Sequence, residues 1–397
     1  MYDCDILISG GGIAGLTAAA AFGAAGFQVI CVEPQLSSQQ TDRGAADLRS
    51  TALLQPARHL LEGAGIWPAL EPNTVPLEVM RICNATLGTE HRITQSQSFH
   101  AREISDLPFG WNVPNRVLKQ VLTEHLATLP NVDHRQGLGA TSLTTRLNAG
   151  YVRLSDGTRI CTRLVLAADG RNSPMRQAAG IGVTIRRYGQ KALVFTVTHE
   201  KPHENTSIEI HKTGGPFTLV PLADIAQSPA SAVVWMDDGA AQVQRRSQTA
   251  AHFEQEISER SCHVLGALKL ASERTIWPII AQRSQAIIAQ RLALIAEAAH
   301  VVPPIGAQGL NMSLADIQVL LESAIAQPEA LGSAAMLASY SRKRMADIAL
   351  RHAGIGVLNR VSQAHDSFGQ NLRSMGLDHL HGSHFLRRNL MRLGLGA

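Results

Sequence analysis

Three stretches of this 397-residue chain carry residue types at spacings that suit chemistry. The first is "CDILISGGGIAGL", where Gly10, Gly12 and Gly15 form a GxGxxG run. Between a strand and a helix, such a run can cradle a pyrophosphate. The first glycine permits the tight turn, and the second lets backbone N–H groups approach the phosphates. The third lets helix and strand pack closely, and the helix N-terminus adds its positive end. A side chain at Gly12 would fill the space the phosphates need and oppose any positive φ there. Glu33 closes the next apolar run, "FQVICVE", where a carboxylate can accept hydrogen bonds from a ribose diol. That suits a ribose without a 2′-phosphate, as in the adenosine half of FAD or NAD. The plain alternative is an ordinary glycine turn, but strand, helix, second strand and acid agree on a dinucleotide site.

The second stretch is "RLVLAADGRNSPMRQAAGI". Residues 164–168 read as a buried strand, Asp169-Gly170 stops it, and Ser173-Pro174 opens a helix with proline in its first turn. The third is "LALIAEAAHVVPPIGAQGLNMSLADIQVLL": an apolar run, then Glu297, His300, Gly306, Gly309 and Asn311, then a helix striped with Leu314, Ile317, Leu320 and Leu321. A helix N-terminus at such a turn can place backbone donors beside an electron-poor ring that becomes anionic on reduction. His300, alone after a strand, reads as a structural partner rather than a base.

Other chemistries lack their residues. There is no HExxH, no CxxC pair and no Ser-His-Asp order, so no metal site is expected. The five cysteines, Cys4, Cys31, Cys83, Cys161 and Cys262, read as reduced packing residues of a cytoplasmic protein. A net charge of +4 without a basic block argues against a nucleic-acid partner. The start "MYDCDILISGGG" lacks a basic region before its apolar run, so no signal peptide is expected. No apolar run approaches the ~20 residues of a membrane span.

The elements that must position these stretches suggest an α/β fold with a Rossmann-like dinucleotide-binding domain. Its parts would be discontinuous: residues 1–75, 105–182 and 285–345. Residues 183–284 alternate as strands at "ALVFTVTHE", "TSIEIHK", "FTLVPL" and "SAVVWM". With 76–104 they would form an antiparallel sheet roofing the substrate, with "QSPAS" as a hairpin connection and "TAAHFEQEISERSCHVLG" as a helix. Residues 346–397 read as a helical tail. "SRKRMADIALRHAGIGVLNRV" and "HFLRRNLMRLGLGA" are basic and amphipathic, so they suit packing on the body or a partner subunit, and alternatively a membrane surface.

The glycine loop with Glu33, then "AADGRNSPMR", then "AEAAHVVPPIGAQGLN" with Asp316, resembles the class A flavoprotein aromatic monooxygenases. Within that class, "DLRSTALLQPARHLLEGAGIWPAL", "NRVLKQVL", "YGQKALVFTVTHEKPH" and "GPFTLVPL" are most similar to the ubiquinone-biosynthesis hydroxylases. The resemblance implies FAD held at its ADP end by Gly10, Gly12, Gly15 and Glu33. It implies Arg49 and Arg116 at the phosphates and ribose, and Asp169 near the pyrophosphate and the approach of the nicotinamide nucleotide. Glu297 would take the ribitol, and Gly306, Gly309 and Asn311 would border the isoalloxazine. NADH or NADPH would visit transiently, with Arg49 as an anchor. The chain departs from the family pattern in three places. Ala296-Glu297 replaces Gly-Asp, Ala307 replaces a glycine, and Ser313 stands where glycine is common.

The implied reaction is NAD(P)H reduction of the flavin, O₂ capture as a C4a-hydroperoxide, and hydroxylation of an electron-rich aromatic ring. The substrate class would be a polyprenylated phenol or quinone precursor. Pocket candidates are Tyr188, Gln190, His211 and Trp235. Two alternatives stay open: a different flavin oxidoreductase, such as a hydroxylase of a small soluble aromatic or a prenyl-chain reductase, and a non-catalytic paralogue that scaffolds a biosynthetic complex. A peripheral membrane contact, a biosynthetic complex and a homo-oligomer are the partners left open.

Overall fold

The structure, a computed structural model, describes residues 1–35, 49–86, 90–363 and 384–395. Asp47 and Leu48, Gly396 and Ala397, and the tail residues 364–383 lie outside the described residues.

Four apolar runs form the parallel core of the first sheet. Cys4–Ser9 lies between Val29–Glu33 and Arg159–Ala167, parallel to both. Leu292–Leu294 runs parallel to Arg159–Ala167 on the far side. These strands are apolar at nearly every position because helices or other chain cover both faces. Parallel pairing brings Gly10, Glu33, Ala168 and Ile295 to one edge of the sheet, the carboxyl ends of its strands. Open α/β sheets bind ligands at that edge.

Helix Ile13–Ala24 packs beneath this sheet and against helices Asn115–Leu126 and Gln308–Ala326. Its closeness to the loop depends on Gly15, where a β-carbon would sit 1.9 Å from the Gly10 carbonyl oxygen. Gly10 turns at φ +112°, in the region that favours glycine. Ser173 caps the short helix Pro174–Ala178 by accepting from the Arg176 N–H at 3.0 Å, as its Ser-Pro start predicts.

The second sheet runs Thr275–Ser284, Val183–His199, Ser228–Asp238, Pro216–Ile225, Thr206–His211, Val79–Ala85, Ile93–His100, with His300–Val301 at its outer edge. The pairs are antiparallel except Thr206–His211 against Val79–Ala85, which is parallel. Those two strands come from distant parts of the chain, so no hairpin dictates their direction. Alternate residues, among them Phe195, Ile208, Ile210, Phe217, Val233 and Trp235, face a core closed by Phe253 and Ile257 of helix Ala250–Arg260. The hairpin turn lies at Ala226-Gln227, both at positive φ, with Pro229 already in the strand. The "QSPAS" connection is thus displaced toward the N-terminus, because a two-residue turn with both central residues left-handed matches the twist of the strands.

Ser50–Leu54, Gly110–Pro114 and Val75–Leu77 form a third, small sheet. Helix Ala334–Ser362 runs unbroken across position 346. Helix His384–Leu395 packs on the body: Arg387 pairs with Glu103, and the Gly394 carbonyl accepts from Gln308 Nε2 at 3.0 Å. Among the described residues no helix is long and apolar enough to cross a membrane.

Candidate functional site

A cavity of about 2290 Å³ opens at the carboxyl ends of the parallel strands and extends under the second sheet. Gly12, Arg49 and Arg116 line one end. Glu297, Gly306 and Gly309 line its middle. The far end is the inner face of the second sheet, with Met80, Ile82, Glu209, His211, Thr218 and Val220.

At the glycine loop, Glu33 accepts from the Gly11 N–H at 2.7 Å and the Gln35 N–H at 3.0 Å. The carboxylate therefore braces the loop from behind, and Glu33 itself is not among the residues that line the cavity. Gly12 sits at φ −71°, and a β-carbon there would meet nothing within 4 Å. The expectation that Gly12 guards a positive φ is thus corrected: Gly10 has that role, and Gly12 only leaves a face open. Arg49 lies with its guanidinium 4.3 Å from the centre of the Trp277 ring. Arg116 projects from the first turn of helix Asn115–Leu126 into the cavity wall.

Asp169 does not line the cavity, although Ala168 and Gly170 do. Its Oδ2 accepts from the Met175 N–H at 3.1 Å and from Ser9 Oγ at 3.2 Å, tying the first strand to the short helix. Burial pushes its carboxyl above the usual range, against the hydrogen bonds from Ser173 and Met175. Asn311 likewise works on the wall. Its amide donates to the Ala52 and Ala307 carbonyls at 2.8 and 2.7 Å and accepts from the Leu54 N–H at 2.9 Å.

Glu297 is exposed to the cavity on an otherwise buried turn. Behind it runs a buried polar chain that sequence reasoning did not assemble. Asp316 accepts from His300 Nε2 and Arg344 Nε, each at 2.7 Å, and from the Ala296 N–H at 3.1 Å. Arg344 continues to Asp347 at 2.6 Å, Asp347 to Arg351 at 2.9 Å, and Arg351 reaches Gln308. Burial alone would raise the Asp316 carboxyl, but His300 and Arg344 hold it below the usual range. His300 is therefore the structural partner its position suggests. Two of the departures from the family pattern now have a physical meaning: Ala296 and Ala307 both stand at φ +55°, where glycine is favoured.

Of the pocket candidates, only His211 lines the cavity. Gln190 is a clasp: it donates to the Gly214 carbonyl at 2.7 Å and accepts from Asn359 and Gln363 at 3.1 and 2.7 Å. Trp235 packs edge-on against Phe217 in the core, with the Arg245 guanidinium 3.9 Å from its ring centre. It lies one residue out of phase with Val234, which does face the cavity. Tyr188 packs against the cluster of Ala192, Met236 and Ile355. Sequence reasoning missed Glu209, although the alternation in "TSIEIHK" places it on the same strand face as His211.

The residues present fit FAD. The loop face at Gly12 is open, arginines flank it, and one unbroken cavity leads to a carboxylate and a helix N-terminus. The family model described as "FAD binding domain" matches residues 3–350. Ubiquinone hydroxylase UbiL of Rhodospirillum rubrum is 30% identical over 99% of this chain and 90% of its own length. The 3-demethoxyubiquinol 3-hydroxylase of Escherichia coli is 28% identical over 99% of this chain and 98% of its own. In fold, the chain resembles p-nitrophenol 4-monooxygenase PnpA from Pseudomonas putida DLL-E4, with a TM-score of 0.79 at 17% identity over 99% of this chain and 98% of that one.

Proposed function

This chain belongs to the FAD binding domain family, and from that premise we propose that it is an FAD-dependent monooxygenase hydroxylating the ring of a polyprenylated phenol or quinone precursor in ubiquinone biosynthesis. The observation that carries the reading is the single cavity joining the glycine loop to an apolar sheet face, with room for a dinucleotide and a lipophilic ring together. The names of the two relatives supply the substrate class.

In this reading the Gly12 backbone, Arg49 and Arg116 hold the phosphates, Glu33 the adenosine ribose and Glu297 the ribitol. Gly306 and Gly309 leave room for the ring, and the N-terminus of helix Gln308–Ala326 faces it. When bound and reduced by NADH or NADPH, the flavin supplies one oxygen atom of O₂ to the substrate ring. The chain's own work is to orient that ring and keep water out, for which Met80, Ile82, Phe99 and Val220 provide an apolar wall.

The partner at the cavity mouth is read as a bilayer surface. Leu350, Leu358, Leu390 and Leu393 line the cavity yet remain exposed, with Phe385 beside them and Arg388 and Arg392 on the same short helix. This rim would let a lipophilic substrate pass from lipid to cavity, and each basic residue near an anionic leaflet adds on the order of 1 kcal/mol. Replacing Phe385 and Leu393 with serine should lower co-sedimentation with anionic liposomes at low salt.

The functional reading is tested by NAD(P)H oxidation with purified protein. A prenylated phenol should stimulate it and gain one oxygen, whereas 4-hydroxybenzoate should do neither. Stimulation by the small acid alone would move the assignment to a soluble aromatic. Protein that binds no flavin would point to the scaffold alternative.

A further inference from the structure

We propose that Glu209 accepts the proton of the substrate's ring hydroxyl and that His211 is its positioning residue; this rests on the hydroxylase reading above. Strand Thr206–His211 alternates strictly. Ile208 and Ile210 enter the core, and Ser207, Glu209 and His211 face the cavity. Glu209 Oε1 lies 2.7 Å from His211 Nε2. His211 is 7% exposed, and its Nδ1 is buried with no hydrogen-bond partner. A proton on Nδ1 would be stranded there, so Nδ1 carries the lone pair and Nε2–H donates to Glu209. That fixes one oxygen of an ionised carboxylate. The other, Oε2, has no hydrogen-bond partner among the described residues.

The surroundings make this acid conspicuous. Its neighbours on the cavity face are Ser207 and His211 on its own strand and Ile82, Thr218 and Val220 on the strands beside it. A carboxylate that faces a cavity beside Ile82 and Val220 gives up part of its hydration, which a ligand hydroxyl can replace. Its place relative to the flavin end is set by register. Glu209 pairs with Thr218, and Thr218 with Val234. Val234 packs against the cluster that holds Ile305, next to Gly306. Two strand spacings, about 10 Å, separate Glu209 from Val234 along this face. An aromatic ring lying between them can present its hydroxyl to Glu209 and its edge to the flavin end.

The proton step balances within the pair and the substrate. The phenolic O–H bond breaks as the ring gives up electron density, and the proton goes to Glu209 Oε2. The bonding electrons stay on the phenolic oxygen and spread to the ortho and para carbons, which become better nucleophiles. Glu209 changes from carboxylate to neutral acid, the substrate from phenol to phenolate, and His211 keeps its Nε2–H on Oε1 throughout.

The test uses full-length, FAD-loaded enzyme and two readouts: product formed from a prenylated phenol, and the absorption of an alkylated para-nitrophenol bound without O₂. Glu209→Gln should form product about a hundredfold more slowly and lose the phenolate-like shift of the bound probe. His211→Gln keeps an N–H within reach of Glu209 and should retain most of the rate, whereas His211→Ala should fall toward Glu209→Gln. A role in stability alone would not separate the two histidine variants. If Glu209→Gln fails to load flavin, Glu209→Asp serves instead: it keeps the charge but draws back from His211 and should be slowed. Either Glu209 variant working at the wild-type rate with the wild-type probe spectrum overturns the proposal. Wild-type enzyme silent to every phenol would instead overturn the hydroxylase reading, and this assignment with it.

Discussion

Asp316 and Arg344 form a buried ion pair, 2.7 Å from Oδ1 to Nε, with Asp316 at 0% and Arg344 at 5% exposure. The pair joins helix Gln308–Ala326 to helix Ala334–Ser362, and through the Ala296 N–H the same carboxylate holds the turn that carries Glu297.

Asp316→Asn should therefore act on stability and cofactor together. It takes away the buried charge partner of Arg344 and leaves only the partly exposed Asp347, so the loss should be at most that of a broken buried pair, about 3–5 kcal/mol. It also weakens the grip on Ala296, so FAD affinity should fall in the same variant. Denaturant midpoints and flavin titration measure both, and a variant with wild-type values for each would show that the pair does not brace the turn.

Ala307→Gly and Ala296→Gly should each stabilise the protein. An L-residue at left-handed φ costs roughly 1–2 kcal/mol, partly offset because glycine gains freedom in the unfolded chain. A rise of a few tenths to about 1 kcal/mol is expected at each site. Lower melting temperatures for both variants would mean that the backbone is not left-handed there.

Gly12→Val should lose FAD while the protein stays folded. Its φ of −71° suits any residue, and its β-carbon would meet nothing in the chain. Gly15→Val should instead unfold, because its β-carbon would overlap the Gly10 carbonyl. Flavin content and melting temperature separate the two. A yellow Gly12→Val protein with wild-type flavin content would remove the loop from the phosphate site.

Glu297→Ala should weaken FAD by about 1–3 kcal/mol, the range for a lost charge-assisted hydrogen bond. Glu297→Asp keeps the carboxylate and should be milder. Equal dissociation constants in all three proteins would mean that Glu297 does not reach the ribitol.

His352 makes stability depend on pH. Burial, then the charges of His300 and Arg283, lower it from 6.5 to about 4. A histidine with a depressed folded value is more easily protonated unfolded than folded. Its stabilising effect is full above about 6.5 and is lost as pH falls from there toward about 4. His352→Gln should flatten the fall in melting temperature across that window, and an unchanged slope would assign the acid sensitivity to other groups.

What the sequence determined by itself was the dinucleotide-binding core. Strands buried on both faces are largely apolar, so "DILIS", "VICV" and "LVLA" announce themselves. Local steric rules place Gly10 and Gly15, and capping chemistry places Ser173-Pro174. The strand alternation of "TSIEIHK" was equally legible, because side chains on a strand repeat every two residues. Only the tertiary structure decided which face of each strand meets the cavity. It turned Trp235 into the core, drew Gln190 to Asn359, and left Glu209 and His211 on the inner wall. It also decided that Asp316 gathers His300 and Arg344, and that Ala296 and Ala307 bend left-handed. Those features depend on contacts between segments far apart in the chain, where burial and partner geometry override local preference, and local pattern holds no record of them.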